Sequence, residues 1–144
     1  MNMILLTKEY KFCAAHKYWN PNWDEKKNIE VFGDDVRNHG HNYILRLTVK
    51  GSVNNESGFL VDLQWLNDLV KNKLIKFLDH SQIDQDIDWF RDRQPSTENL
   101  VVYIWDTLSP YFENQECSLY KIFLRETPTI FTEYYGPSIN SEVQ

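Results

Sequence analysis

Residues 39–51 read HGHNYILRLTVKG, and this stretch carries the clearest strand signal of the chain. From Asn42 to Gly51, apolar side chains alternate with mostly polar neighbours, at Tyr43, Leu45, Leu47 and Val49. Successive side chains of a strand point to opposite faces, so a period of two indicates a strand with one buried face. The fold therefore starts from a half-buried sheet.

Other segments on either side of this stretch are also extended. Ile4–His16 alternates in a similar way and predicts a strand. Near the C-terminus, Tyr120–Thr127 and Ile130–Tyr135 predict two further strands joined at a proline. A short strand is expected at Phe59–Val61, after a turn. The polar tail PSINSEVQ after Gly136 is expected to be poorly ordered.

Two segments have the spacing of amphipathic helices. Asp62 can cap a helix that runs to about Phe77, with apolar residues three and four apart. A second helix is predicted from Pro95-Ser96-Thr97-Glu98 to Leu108, because a hydroxyl cap and an acid stand near its positive end.

The remaining long stretches predict loops, and these are Lys17–Asn38, with room for one helical turn, and Asp79–Gln94. Strands adjacent in sequence tend to pair, so we expect a mostly antiparallel sheet with two helices on one face, an α+β fold. We expect a single domain, residues 1–144, whose sheet edges leave room for oligomerisation.

The composition restricts the classes of function. A net charge of −6 argues against nucleic acid or an anionic membrane as the partner, because both need a basic face. No apolar run approaches the roughly 20 residues of a membrane span, and the N-terminus lacks the apolar core of a signal peptide. The two cysteines, Cys13 and Cys117, do not form a disulfide scaffold. We therefore expect a cytoplasmic protein.

Three of the four histidines stand where they could form one site. His39 and His41 are two residues apart, so on an extended segment both rings point to the same face. His16 ends the preceding strand, which can pair alongside. Three neutral imidazoles with an open position are typical of catalytic zinc. The spacing alone leaves open that these are ordinary core or surface histidines.

Several motifs in order resemble the 6-pyruvoyltetrahydropterin synthase family, which includes the 6-carboxytetrahydropterin synthases. They cover about residues 5–135 and are FCAAH (Phe12–His16), FG with HGHNY (Phe32–Gly33, His39–Tyr43), GFLVDL (Gly58–Leu63), LDH (Leu78–His80), STENLVVYIW (Ser96–Trp105) and RET (Arg125–Thr127). The resemblance implies a tunnelling fold (T-fold), in which subunits close into a barrel as a trimer. It also implies a homohexamer made of two trimers, active sites at subunit interfaces, and a reduced pterin as substrate.

The resemblance also implies roles for individual residues. His16, His39 and His41 would hold Zn²⁺, with Asn42 or Glu30 as candidates for orienting the rings. Asp79 and His80 match an acid–base pair, although a turn cap and an exposed histidine would give the same pattern. Glu126 matches the anchor of the pterin edge. Thr97 and Glu98 match residues near the pterin or the neighbouring site, and helix capping explains them equally well.

The chain departs from the family at one position. Family members usually have a cysteine shortly before HGH, as a catalytic base, and none is present between Gly33 and His39. Asp35 stands at the matching position, with Asp34 possible if the loop aligns differently. Cys13 lies at an odd offset from His16, so we expect it to face away from the zinc and to pack, and Cys117 lies in a predicted turn.

The implied activity is a zinc-dependent carbon–oxygen lyase acting on 7,8-dihydroneopterin triphosphate. Because the usual cysteine is absent, a 6-pyruvoyl, a 6-carboxy or a 6-hydroxymethyl pterin could be the product. A non-catalytic pterin-binding protein that retains zinc is the alternative. A structural zinc protein is a third possibility, and it would show a fourth protein ligand.

Overall fold

The computed structural model describes residues 2–138. It contains five strands: β1 (Ile4–His16), β2 (His39–Gly51), β3 (Ser81–Gln82), β4 (Ser118–Thr127) and β5 (Ile130–Tyr134). The α-helices are α1 (Glu25–Phe32), α2 (Leu63–Val70), α3 (Lys76–Leu78), α4 (Ile83–Asp86) and α5 (Thr97–Leu108). A π-helical turn, Lys71–Ile75, joins α2 to α3, and 3-10 turns lie at Gly33–Val36, Asp88–Phe90 and Ser109–Phe112.

The strands form one sheet in the order β3-β1-β2-β4-β5. The pairs β1/β2, β2/β4 and β4/β5 are antiparallel, which confirms the expected α+β class with a mostly antiparallel sheet. The exception is β3, which pairs in parallel with β1 through Ala14↔Ser81 and Ala15↔Gln82. A strand of two residues has no periodicity, so no sequence pattern could have indicated it.

One face of the sheet is covered by the helices and holds the core. The predicted inward residues of β2 (Tyr43, Leu45, Leu47, Val49) are fully buried. They pack in one cluster with buried side chains of the predicted helices, including Leu66, Val70, Leu74, Leu100, Ile104 and Leu108. Burying each such side chain stabilises the fold by about 1.5–3 kcal/mol. The most deeply buried strand, β2, is also the middle strand of the sheet.

Several boundaries differ from the sequence-based expectation. Phe59–Val61 is not a strand. The turn before it is closed by the Asn54 side chain, which accepts the N–H groups of Glu56 and Ser57, and Phe59 bonds back to this turn rather than to a strand, because its carbonyl accepts the N–H of Asn54 and its N–H donates to Ser57 Oγ. Both predicted helices form, capped by Asp62 and Ser96 as expected.

The two predicted loops contain regular structure. Within Lys17–Asn38, α1 makes two turns rather than one, capped by Asp24, and it stops at Gly33, whose φ of 61° suits glycine. Within Asp79–Gln94 lie β3, α4 and a 3-10 turn. The polar sequence of α1 has no clear apolar periodicity, and its start is set by the Asp24 cap. α4 and the 3-10 turn are too short to show a periodicity.

Two further observations concern the C-terminal residues and the apolarity of the helices. Tyr135–Ser138 has no regular structure, and residues 139–144, which make up most of the predicted tail, lie outside the described residues. Among residues 2–138, no helix combines the length and the apolarity needed to cross a membrane.

Candidate metal centre

The three candidate histidines lie at the joined ends of the two longest strands. His16 is the last residue of β1, and it pairs directly with His39, the first residue of β2. His41 is opposite Ala14, whose small side chain leaves space for the ring. Directly paired residues of antiparallel strands point to the same face, so the register brings all three rings together.

The ring nitrogens converge. One ligand atom from each of His16, His39 and His41 lies within 4.8 Å of the others. The Nε2 atoms of His16 and His39 are 3.0 Å apart, and the three ring centroids are separated by 4.6, 5.1 and 5.2 Å. His16 is fully buried, whereas the other two rings are partly exposed. The cluster is therefore open on one side.

Hydrogen bonds on the far side of two rings fix their orientation. His39 Nδ1 donates to the Arg37 carbonyl over 2.8 Å, and His16 Nδ1 lies 3.2 Å from the Tyr43 hydroxyl. At His39 the carbonyl partner places the proton on Nδ1 and leaves Nε2 with its lone pair for a metal ion. At His16 the same tautomer requires Nδ1 to donate to the Tyr43 oxygen. The expectation that Asn42 or Glu30 would do this is not met, because both are exposed and neither hydrogen-bonds a histidine among the described residues.

Burial favours the neutral form of two of the rings, His16 and His41. Burial, followed by the neighbouring His39 and His41, lowers the pKa of His16 to about 4. Burial also lowers the pKa of His41. A neutral imidazole is the form that binds metal, so the site favours the metal-competent state at neutral pH.

Two buried polar atoms have no hydrogen-bond partner within residues 2–138: His41 Nε2 and Glu126 Oε2. A buried polar atom without a partner lowers the stability of the fold, so a bound ligand that pairs with either atom would remove this cost. For His41 Nε2, which faces two other imidazole nitrogens, a cation is such a ligand. The donor set and this unpartnered nitrogen fit a metal ion.

Two carboxylates lie next to the cluster, each beside a different histidine. Asp35 Oδ1 lies 3.8 Å from His39 Nε2, and Glu126 Oε1 lies 3.9 Å from His41 Nε2. The Glu126 side chain is 12% exposed, whereas that of Asp35 is 58% exposed. Burial is the main cause that raises the pKa of Glu126, and the charges of Asp35 and Glu98 raise it further. Glu126 thus lies in a pocket beside the metal site, and Asp35 at its rim.

Thr97 and Glu98 begin α5, directly after its cap Ser96. The buried Thr97 hydroxyl donates to Glu98 Oε1 over 2.7 Å and accepts from Thr132 on β5 over 3.0 Å. Because Ser96 is the residue that caps the helix, capping does not account for Thr97. Glu98 is close enough to Glu126 for their charges to interact, so both residues border the same region.

The Asp79–His80 pair forms but lies apart from the histidines. Asp79 Oδ2 is 3.0 Å from His80 Nδ1, and the His80 side chain is 83% exposed. Asp79 Oδ1 accepts the backbone N–H of Cys13, which is the main cause that lowers its pKa, and His80 N–H donates to the Cys13 carbonyl. Among the described residues, no hydrogen bond or ion pair joins the pair to the three histidines.

The cysteines take no part in the cluster. Cys13 faces away from His16 as expected, but the expectation that it packs is wrong, because its side chain is exposed on the uncovered side of the sheet. Cys117 is buried immediately before β4. Both are free thiols.

Sequence reasoning missed Tyr18 and Tyr43. The Tyr18 ring lies 5.1 Å from that of His16, and burial followed by the charges of Glu126, Asp35 and Glu98 raises its pKa. Tyr43 shares a strand face with His39 and His41, so alternation along β2 could have identified it. No comparable signal existed for Tyr18, because it lies in an irregular loop.

Comparisons with known proteins found a matching family model, similar sequences and a similar structure. The family model described as 6-pyruvoyl tetrahydropterin synthase matches residues 5–137. A 6-pyruvoyl tetrahydrobiopterin synthase of Drosophila melanogaster is 34% identical over 137 residues, covering 94% of this chain and 81% of that protein. A 6-carboxy-5,6,7,8-tetrahydropterin synthase of Bacillus subtilis is 33% identical over 110 residues, which is 73% of each chain. The structure of Caenorhabditis elegans 6-pyruvoyl tetrahydropterin synthase superposes with a TM-score of 0.88 at 28% identity, covering 95% of this chain and 98% of that one.

Proposed function

The chain belongs to the 6-pyruvoyl tetrahydropterin synthase family, and from this premise we propose that it is a zinc-dependent carbon–oxygen lyase acting on 7,8-dihydroneopterin triphosphate. The observation that carries the proposal is the convergence of the three histidine nitrogens, one of them buried and without a partner among residues 2–138. Membership of the family supports a pterin as the substrate and a lyase reaction. The convergence of the three histidines supports a reaction that depends on a metal ion.

The metal is proposed to be zinc, held by His16, His39 and His41. Neutral imidazoles suit Zn²⁺, and three protein ligands with an open position are the usual catalytic arrangement. When bound, zinc supplies a Lewis acid that polarises a hydroxyl or carbonyl group of the substrate. The Tyr43 hydroxyl and the Arg37 carbonyl contact the Nδ1 atoms of two of these rings, which supports the rings as ligands through Nε2.

Glu126 is proposed to anchor the pterin. The pterin edge offers a ring N–H and an amino group side by side, and one carboxylate can accept both. The Oε2 atom of Glu126 is buried without a partner among the described residues, which supports a ligand donor there. Glu98 and Thr97, at the start of α5, would border the same pterin pocket.

Asp35 is proposed as the base that replaces the family's cysteine. Its carboxylate lies at the exposed rim of the histidine cluster, where a substrate side chain bound at the metal would pass. An aspartate accepts a proton as a cysteine thiolate does, but its ordinary pKa is near 4 rather than near 8.5. A bound substrate that excludes water would favour proton transfer to this carboxylate, because burial disfavours its charged form.

Asp79 and His80 are proposed to act as the acid–base pair of a neighbouring subunit's site. His80 is exposed, and neither residue of the pair forms a hydrogen bond or ion pair with the three histidines of its own chain among residues 2–138. Asp79 orients the His80 ring through Nδ1, which leaves Nε2 free to exchange a proton with substrate. A shared site would explain why a preformed pair faces outward.

The assembly is proposed to be a homohexamer of two trimers. Large apolar side chains are exposed at both edges of the sheet. They lie at the start of β1 and on the residue before it (Met3, Ile4, Leu5), and on β5 and the residue after it (Ile130, Phe131, Tyr135). Open strand edges with apolar side chains favour pairing with another chain. Joining β5 of one copy to β1 of the next closes a ring when the rotation is repeated.

The compartment is proposed to be the cytoplasm, because the free thiols of Cys13 and Cys117 suit a reducing environment.

The test is mass identification of the product formed from 7,8-dihydroneopterin triphosphate by the zinc-loaded protein. We expect turnover, which is lost when zinc is removed or when His41→Ala is introduced. The mass will distinguish the 6-pyruvoyl, 6-carboxy and 6-hydroxymethyl products. No new pterin with the loaded protein would contradict the proposal.

The absence of a cysteine between Gly33 and His39 favours one alternative, a pterin-binding protein without catalysis. The discriminating variant is Asp35→Ala. If the wild type turns over and the variant binds pterin without turnover, the enzyme is supported. If both bind pterin and neither turns over, the alternative is correct.

A further inference from the structure

Asp35 owes its position to the segment before it. It lies on the 3-10 turn Gly33–Val36, which follows α1 without a break, and its main-chain carbonyl accepts the N–H of Tyr18 over 2.9 Å. Aspartate has a short side chain, so it cannot compensate for a displaced backbone as a glutamate could. The segment that carries it must therefore be held firmly.

The first restraint is a buried asparagine in α1. Asn28 is fully buried, and its Oδ1 accepts the N–H of Asn20 over 2.7 Å. Its Nδ2 group donates to the carbonyls of Asn20 and Asp24, both over 3.0 Å. These bonds fasten the loop after β1 to α1 and satisfy backbone groups that would otherwise be unpaired.

The second restraint is a row of stacked rings, which we call the aromatic ladder: Trp23, Phe32 and Tyr18. Trp23 and Phe32 have centroids 5.7 Å apart with planes at 23°, and Phe32 and Tyr18 are 5.6 Å apart at 29°. The ladder continues to the metal ligands, since the Tyr18 ring lies 5.1 Å from that of His16. Stacking of this kind stabilises a packed row of rings beyond the effect of burial.

We propose that the aromatic ladder positions Asp35, with Phe32 as its central positioning residue. Phe32 ends α1 immediately before the turn that bears Asp35, and it stacks on Tyr18, whose N–H holds the Asp35 carbonyl. The ladder therefore connects the metal ligands to the base through packed rings. This inference rests on the proposed role of Asp35 as base.

The test is Phe32→Leu, which keeps an apolar side chain but removes the stacking. We expect kcat for 7,8-dihydroneopterin triphosphate to fall about 10- to 100-fold, because a displacement near 1 Å of a reacting group has that effect. KM and zinc content should stay unchanged. The Tyr18 amide should exchange its hydrogen faster in both the zinc-free and the zinc-loaded protein. Phe77→Leu, at an exposed phenylalanine on α3, is the matched control.

A rescue experiment separates positioning from general stability. In the Phe32→Leu background, Asp35→Glu should restore part of kcat, because the longer side chain can reach from a displaced backbone. Unchanged kcat and unchanged Tyr18 exchange in Phe32→Leu would overturn the inference, as would a loss of zinc. If the wild type is active and Asp35→Ala keeps full kcat, the base assignment fails instead, whatever Phe32→Leu does to the amide exchange.

Discussion

At the scale of single residues, the site depends on groups behind the metal ligands as well as on the ligands. Tyr43 is fully buried, stacks on Phe12 at 4.8 Å and places its hydroxyl against His16 Nδ1. The phenol thus does two separate things, since its ring packs in the core and its oxygen orients a ligand.

Removing only that oxygen should separate the two roles. We expect Tyr43→Phe to lower zinc affinity about 10-fold or more, as losses of such outer hydrogen bonds usually do, while the fold is kept. Competition with a chromophoric chelator measures the affinity. Tyr10→Phe is the control, because it removes a hydroxyl bonded to Asn67, away from the histidines. Equal affinities for both variants would contradict a role for the Tyr43 hydroxyl.

His16 should make the zinc-free protein sensitive to acid. Its pKa is lowered to about 4 in the fold, against about 6.5 in the unfolded chain, so between these values the unfolded chain binds more protons. The free energy of unfolding should therefore fall as pH drops from 6.5 to 4, by up to about 3 kcal/mol from this residue. Nothing comparable is expected above pH 6.5.

Urea unfolding of the chelator-treated protein at several pH values checks this. His16→Gln removes the titrating group, so the difference from wild type isolates it from Glu126, whose raised pKa acts in the opposite direction. A wild-type and a variant curve that stay parallel from pH 6.5 to 4 would show that His16 is not the cause.

At the scale of elements, the sequence predicted strands and helices correctly where an apolar repeat extended over many residues. The alternation in β2 and the apolar spacing of α2 and α5 identified these elements and their caps, because burial of one face determines both the pattern and the structure. Asp35, Glu126 and the three histidines were also assigned from motifs and lie near one another.

What the sequence did not reveal depends on single side-chain contacts. The length of α1 is set by the Asp24 cap and Gly33, and β3 exists through two residue pairs with β1. The partners of His16 and His39 are the Tyr43 hydroxyl and the Arg37 carbonyl. Tyr43 belongs to the HGHNY motif, but the motif does not indicate which histidine its hydroxyl contacts. The neighbours of Tyr18 follow from tertiary packing, so spacing along the chain could not indicate them.

The buried asparagine of α1 offers a test at this scale. Asn28→Ala should lower the free energy of unfolding by roughly 2–3 kcal/mol, because backbone groups of the loop lose their partners in a buried place. Thermal or urea unfolding measures this. Asn22→Ala, an exposed asparagine of the same loop, should change stability little. A small effect at Asn28 would mean that water replaces its hydrogen bonds.

At the scale of the whole molecule, the open sheet edges bear on assembly. Phe131 on β5 is 57% exposed and stacks on Phe123 at 5.8 Å. A charge on this edge should oppose pairing with another chain.

We expect Phe131→Lys to convert the proposed hexamer to monomers while the chain stays folded. Light scattering coupled to gel filtration gives the mass, and circular dichroism checks the fold. Phe77→Lys places the same charge on a similarly exposed phenylalanine of α3, and it should leave the mass unchanged. A hexamer that persists in Phe131→Lys would mean that β5 is not the contact.

The hydrogen bonds that attach the Asp79–His80 pair to β1 at Cys13 have a consequence for mixtures of two variant chains. If each reaction centre combines histidines from one copy with the pair from another, two inactive variants can complement each other. Co-refolded His41→Ala and His80→Ala chains should regain activity, with roughly a quarter of the centres intact in a random equal mixture. Two variants that both damage the end of β1 should not complement, since that strand serves two centres at once.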